Sequence, residues 1–197
     1  ANHIWLVGGT IPCQQGIQDI NKVRSACFVY DSEGDEVARY DKIHMFDVDI
    51  EDSHGSYRES DTFEAGDQLV VIDTPVGKVG LTICYDLRFA EMHAKLVDLG
   101  AQIIVNGAAF TRTTGQAHWH TLLRARAIET QCYMLAASHG GQHDHRQTFG
   151  HSMIIDPWGE ILVELDEGPG IAVACIDLDH LKTIRRAFPL QYQRRLK

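Results

Sequence analysis

One of the five cysteines stands apart by position, and it offers nucleophilic chemistry. The apolar run Gly-Lys-Val-Gly-Leu-Thr-Ile ends at Cys84, and then Phe89, Met92, Leu96 and Leu99 recur at a helical period. A strand turning straight into a helix would hold the thiol near the positive end of the helix dipole, which favours thiolate. The bland alternative is a small apolar core residue, a common fate of cysteine. Cys27, Cys132 and Cys175 all read as strand-core residues, and Cys13 follows a proline in a loop. No pair has C-x-x-C spacing, the count is odd and no apolar secretory leader opens the chain. That pattern predicts a reducing compartment, the cytoplasm, without a disulfide framework or a structural zinc.

A thiol nucleophile needs a proton acceptor, donors for an oxyanion and groups that position the carbonyl. Lys42 ends a strand in Tyr-Asp-Lys-Ile-His and enters a long polar stretch that also holds Glu59. Taken alone, both are ordinary surface charges. Eleven histidines make a Cys–His pair conceivable, but spacing marks none of them out. His118 with His120, and His143 with His145, are spaced to share a metal. Neither pair has a third ligand at a recognisable spacing, so no metal and no cofactor are expected.

The elements that must position these residues mix strands and helices. Residues 4–9 are a continuous apolar run that predicts a fully buried strand. Residues 23–31 and 36–42 flank Ser-Glu-Gly-Asp as a hairpin, and residues 44–67 read as a long functional loop. A second hairpin joins 69–73 to 78–84, followed by a helix over 88–99 and a strand over 102–106. Residues 107–114 read as a loop bordering the site, 116–130 as a helix and 132–138 as a strand, with a polar His-rich loop after it. Strands over 148–156, 160–165 and 171–176 and a helix over 177–187 complete the chain, an α/β layered architecture in one domain, 1–197. The formal charge of −9 argues against nucleic acid and anionic membranes, and no apolar stretch reaches membrane-spanning length. The basic residues Lys182, Arg185, Arg186, Arg194, Arg195 and Lys197 read as a solvated or subunit-contacting tail.

In order along the chain, Tyr-Asp-Lys-Ile-His-Met-Phe-Asp-Val (40–48), Arg-Glu-Ser (58–60), Gly-Leu-Thr-Ile-Cys-Tyr-Asp-Leu-Arg-Phe (80–89), Ala-His-Trp (117–119), Leu-Leu-Arg-Ala-Arg-Ala-Ile-Glu (122–129) and Gly-His-Ser-Met-Ile-Ile-Asp-Pro-Trp-Gly (150–159) resemble the nitrilase superfamily of carbon–nitrogen hydrolases. The ordered set covers nearly the whole chain and most resembles the superfamily's Nit branch. The resemblance implies an αββα sandwich, subunits that pair as homodimers or higher homo-oligomers, and an amidase working through a Cys thioester without a cofactor. It implies Cys84 as nucleophile, Lys42 as the stabiliser of the tetrahedral intermediate and Glu59 as the carboxylate supporting that lysine. The Tyr85 backbone N–H would share the oxyanion. The branch implies small carboxylate-bearing amides, deaminated glutathione-like or 2-oxoglutaramate-like. Phe110, Thr111, Arg112 and Arg146 are the candidate substrate-binding residues.

Two positions depart from the pattern. The family's general-base glutamate, at the end of a first strand, has no counterpart here, since Glu33 and Glu36 sit in and beside a hairpin turn. The expectation is a chain lacking its N-terminal strand–helix segment and inactive as it stands. The opposing reading is a binding module of the same fold. After Trp119, where relatives often carry Glu, this chain has His120.

Overall fold

The computed structural model describes residues 2–51, 55–143 and 146–196. The first sheet holds β1 (Leu6–Val7), β2 (Ile11–Cys13), β3 (Arg24–Tyr30) and β4 (Glu36–Asp41), with β3 antiparallel to all three others. β5 (Asp47–Asp49) and β6 (Ser56–Arg58) form a separate hairpin inside the segment expected to be a loop. Its strands are three residues each, too short for an alternating pattern to register in the sequence.

β7 (Val71–Thr74) and β8 (Gly77–Ile83) follow as the expected hairpin. Then come α1 (Ala90–Asp98), β9 (Ile103–Ala108), α2 (Arg112–Thr130) and β10 (Tyr133–Ser138). β8, β9 and β10 lie parallel and adjacent, the arrangement that strand–helix–strand connections produce. α2 begins a turn earlier than the periodicity indicates, because the Thr111 side chain caps it by accepting the Thr114 N–H at 3.2 Å.

β11 (Gly140–His143) and β12 (Arg146–Phe149) pair where a polar loop was expected. His145, one of the histidines weighed for metal, lies outside the described residues. The single strand expected over 148–156 is two, β12 and β13 (Met153–Ile155), because Gly150 and His151 adopt left-handed φ of 71° and 57° between them. β14 (Ile161–Glu164) closes the six-stranded sheet in the order β14-β13-β10-β9-β8-β7. α3 (Leu178–Ala187), capped by Asp177, and α4 (Leu190–Gln193) end the chain. In the tail, Arg185 donates inward to the carbonyls of Ala101 and Gln131, and Arg194 pairs with Asp98.

The strand expected over 171–176 is absent. Its alternation is real, with every second residue exposed, but no strand among the described residues pairs with it. Cys175 is therefore exposed, whereas Cys27 and Cys132 are buried as expected. Residues 4–9 also differ from expectation: Ile4, Leu6 and Val7 are 62%, 50% and 38% exposed. That strand is two residues long and pairs only with β3, so nothing covers its outer side among the described residues.

One apolar cluster joins the two sheets and the helices. Val29 and Tyr40 of the first sheet meet Leu81, Ile83 and Met134 of the second, and Leu96, Trp119 and Leu123 cover the second from its helical side. The result is an α/β sandwich with its sheets face to face. No helix of the described residues is long and apolar enough to cross a membrane.

Candidate active site

Cys84 does not open α1. It opens a five-residue 3-10 turn, Cys84–Arg88, and α1 starts only at Ala90. The alignment with a long helix dipole expected from sequence is thus replaced by a tighter local device. Cys84 takes φ of 48°, a left-handed conformation that costs a non-glycine residue about 1 kcal/mol or more and persists where surroundings over-determine it.

Asp86 supplies those surroundings. Fully buried, its carboxylate accepts the Ile83 N–H at 2.9 Å, the Tyr40 hydroxyl at 2.6 Å and the His44 N–H at 3.1 Å. The His44 ring nitrogen Nδ1 lies 2.8 Å from the same group, and the ring stacks on Phe89. One carboxylate therefore ties the turn holding the nucleophile to residues 40–44, the segment that carries Lys42.

Lys42 is buried, and its backbone is pinned by Ser25 O and Gly66 N–H on either side. Its Nζ donates to Glu59 Oε2, which also accepts the Phe46 N–H at 2.6 Å. Glu59 is placed by the short β5–β6 hairpin, being the first residue after β6. The pair Lys42–Glu59 and Cys84 line the same cleft of about 980 Å³, together with Tyr85. The three residues singled out by resemblance, spread over 43 positions of sequence, are thus neighbours around one opening.

Burial pushes the Cys84 thiol above its ordinary value, while the Lys42 ammonium and the Ala109 N–H pull it back. The sequence expectation of a thiolate favoured by a helix terminus is accordingly revised. The counterweight to desolvation is a lysine and a backbone amide, not a macrodipole. First-turn amides such as that of Tyr85 lack acceptors within their own turn, which makes them suitable oxyanion donors.

Of the expected substrate-binding residues, Phe110, Thr111 and Arg146 line the cleft. The Thr111 hydroxyl is committed to capping α2, and the Arg146 guanidinium lies over the Tyr57 ring at 5.5 Å. Gly115 lets β12 approach α2 at this rim, since a Cβ there would overlap the Phe149 ring. Arg112 stands apart from the other three. It is not among the cleft-lining residues, and its Nη1 pairs with Glu167 at 2.9 Å.

The residue missed from sequence is Arg88, which closes the 3-10 turn and lines the cleft. Its guanidinium lies over the rings of Tyr85 and Phe110 at 5.7 and 5.2 Å and 3.3 Å from His118 Nδ1. No carboxylate among the described residues pairs with it. Its spacing, four residues after Cys84, was the available signal, because one tight turn returns the chain to the side of the nucleophile. Glu59 is the only carboxylate lining the cleft among the described residues, and it is already engaged by Lys42 and Phe46.

The family model for carbon–nitrogen hydrolases matches residues 1–186. The chain is 48% identical to a deaminated glutathione amidase of Yersinia enterocolitica, over 97% of this chain and 67% of the relative. It is 40% identical to the omega-amidase NIT2-A of Xenopus laevis, over 98% of this chain and 68% of that protein. The crystal structure of the C. elegans NitFhit protein superposes with a TM-score of 0.90 at 40% identity, covering 98% of this chain and 47% of that one. The chain therefore spans about two thirds of the length of these two curated relatives and less than half of NitFhit. With the sandwich and the cleft already described, these matches make the chain a member of the carbon–nitrogen hydrolase family.

Proposed function

We propose that this chain carries the nucleophile half of an amidase acting on a small amide that bears a carboxylate. The Cys84 sulfur adds to the amide carbonyl, and the Lys42 ammonium and the Tyr85 N–H hold the oxygen that gains charge. Collapse breaks the C–N bond, the amine leaves with a proton, and a thioester remains on Cys84. Water then adds to the thioester, releasing the free acid and restoring the thiol. The proton acceptor for these steps is not Glu59, whose carboxylate is committed to Lys42. Glu59 fixes the ammonium in place.

The observation that carries this reading is the shared cleft of Cys84 and the Lys42–Glu59 pair. Arg88, cationic and without a carboxylate partner among the described residues, is the receptor proposed for the substrate's carboxylate. A cleft of about 980 Å³ favours a peptide-sized amide of the deaminated glutathione kind over a bare 2-oxoglutaramate, which remains the second reading by similarity to the omega-amidase.

Compartment, domain organisation and assembly belong to the same proposal. The five free cysteines fit the cytoplasm. The 197 residues form one domain. Exposed Ile128, Trp158 and Phe188, linked by Gly159 against Ile128 and by a 6.4 Å ring contact, form an apolar patch suited to pairing with a second copy.

The test is formation of free acid from deaminated glutathione and from 2-oxoglutaramate by the full-length protein and its Cys84→Ala variant. Turnover of the first substrate above the second, abolished in the variant, is expected. Undiminished turnover without the sulfur would remove Cys84 from the mechanism.

A further inference from the structure

A second cluster of chemically capable side chains lies away from the cleft. His120 projects from α2, His151 from the left-handed turn between β12 and β13, and Glu164 from the end of β14. His120 Nε2 and His151 Nδ1 each lie 2.8 Å from Glu164 Oε1, and all three donor atoms fall within 4.8 Å of one another. None of the three lines the cleft. The sequence paired His120 with His118, two residues before it, but His118 turns instead to Arg88.

We propose that His120, His151 and Glu164 form a binding site for a divalent transition-metal ion of the zinc class. Two imidazole nitrogens and one carboxylate oxygen are the donor set such ions take with three protein ligands, with water completing the shell. Around a cation about 2.1 Å from each ligand, donor atoms stand roughly 3.0–3.4 Å apart. The two N···O separations of 2.8 Å need to open by about half an ångström to reach that spacing, within the range of a carboxylate rotation. The ligands come from three separate elements, and His151 is held from behind. Trp119 Nε1 donates to the His151 carbonyl at 2.8 Å, and His120 stands at the next helical position after that tryptophan. All three ligands keep partial exposure, which leaves an entry path and room for water. A bound ion would fasten α2 to the β13–β14 edge and take no part in the chemistry at Cys84.

The ligand set dictates the test. Untagged, chelator-stripped protein is titrated with Co²⁺, whose visible spectrum separates nitrogen–oxygen coordination from thiolate, and then with Zn²⁺ while thermal unfolding is followed. The expected result is one equivalent bound, with visible d–d bands and no sulfur-to-metal charge transfer. Binding should be unchanged in Cys84→Ala and weakened at least tenfold in both His120→Ala and Glu164→Gln. Zn²⁺ should raise the Tm of the parent protein and leave that of His120→Ala unmoved. Absence of stoichiometric binding, a thiolate signature, or equal affinity in the folded His120→Ala and Glu164→Gln proteins would each overturn the assignment. Circular dichroism establishes that those variants are folded, and His120→Gln replaces any variant that is not.

Discussion

The two sheets treat apolar strands in opposite ways. β8 and β9 are hydrogen-bonded on both sides, covered by helices on one face and by the first sheet on the other, and Leu81 and Ile104 are completely buried. β1 and β2 also carry apolar residues, yet Leu6 and Ile11 are each 50% exposed because, among the described residues, these strands pair only with β3. Apolarity alone does not bury a strand; pairing on both edges and cover on both faces do. The difference bears on function. A nucleophile in a left-handed conformation needs an unyielding support, and Cys84 sits at the end of the doubly paired strand. Lys42 reaches it from the other sheet, so the cleft lies where the two regimes meet.

Four probes test this contrast. Asp86→Ala should be the most damaging to stability, because it leaves the Tyr40 hydroxyl and the Ile83 and His44 amides without their acceptor. A loss of about 3–5 kcal/mol is expected from urea unfolding. An unchanged midpoint would mean that the turn holds Cys84 without this carboxylate. Lys42→Ala should lower kcat about 10²–10³-fold in the full-length enzyme, about 3–4 kcal/mol, with little change in KM. A change confined to KM would make the lysine a substrate-binding group instead.

The third probe is pH. His93, fully buried on α1, donates its Nδ1–H to the Phe89 carbonyl at 3.0 Å, and burial pushes its pKa down from 6.5 to about 4. Between those values the unfolded chain binds the proton that the folded chain refuses. Stability is therefore complete above about pH 6.5 and falls as pH drops toward 4, by about 3 kcal/mol. Urea midpoints between pH 7 and 4 should show this slope in the parent protein and a shallower one in His93→Gln; parallel slopes would exonerate His93. The smallest effect belongs to the open edge. Leu6→Lys should change stability by less than about 0.5 kcal/mol, against about 2–5 kcal/mol for Leu81→Ala. Comparable losses at the two positions would erase the distinction between the sheets.

Much of this was legible in the chain, for identifiable reasons. Periodicity located the hairpin β7–β8, the helices α1, α2 and α3 and the strands around the first two, since continuous burial writes itself into consecutive residues. The ordered motifs pointed to Cys84, Lys42 and Glu59 before any coordinate placed them around one cleft. Periodicity was blind to the 3-10 turn, because a five-residue element without a repeating face carries no period. It specified a face for residues 171–176 but could not specify a partner, and none is present among the described residues. Asp86 and the His120–His151–Glu164 cluster were hidden for a third reason. Their partners lie up to 46 residues away, a separation that no local pattern encodes.

The most direct test of the shared cleft is the pH dependence of Cys84 alkylation, followed by peptide mass mapping in the parent protein and in Lys42→Met. Removing the ammonium that pulls the thiol down should move the alkylation midpoint upward and slow the reaction at neutral pH. Superimposable profiles would place Lys42 outside the field of the sulfur and contradict the account.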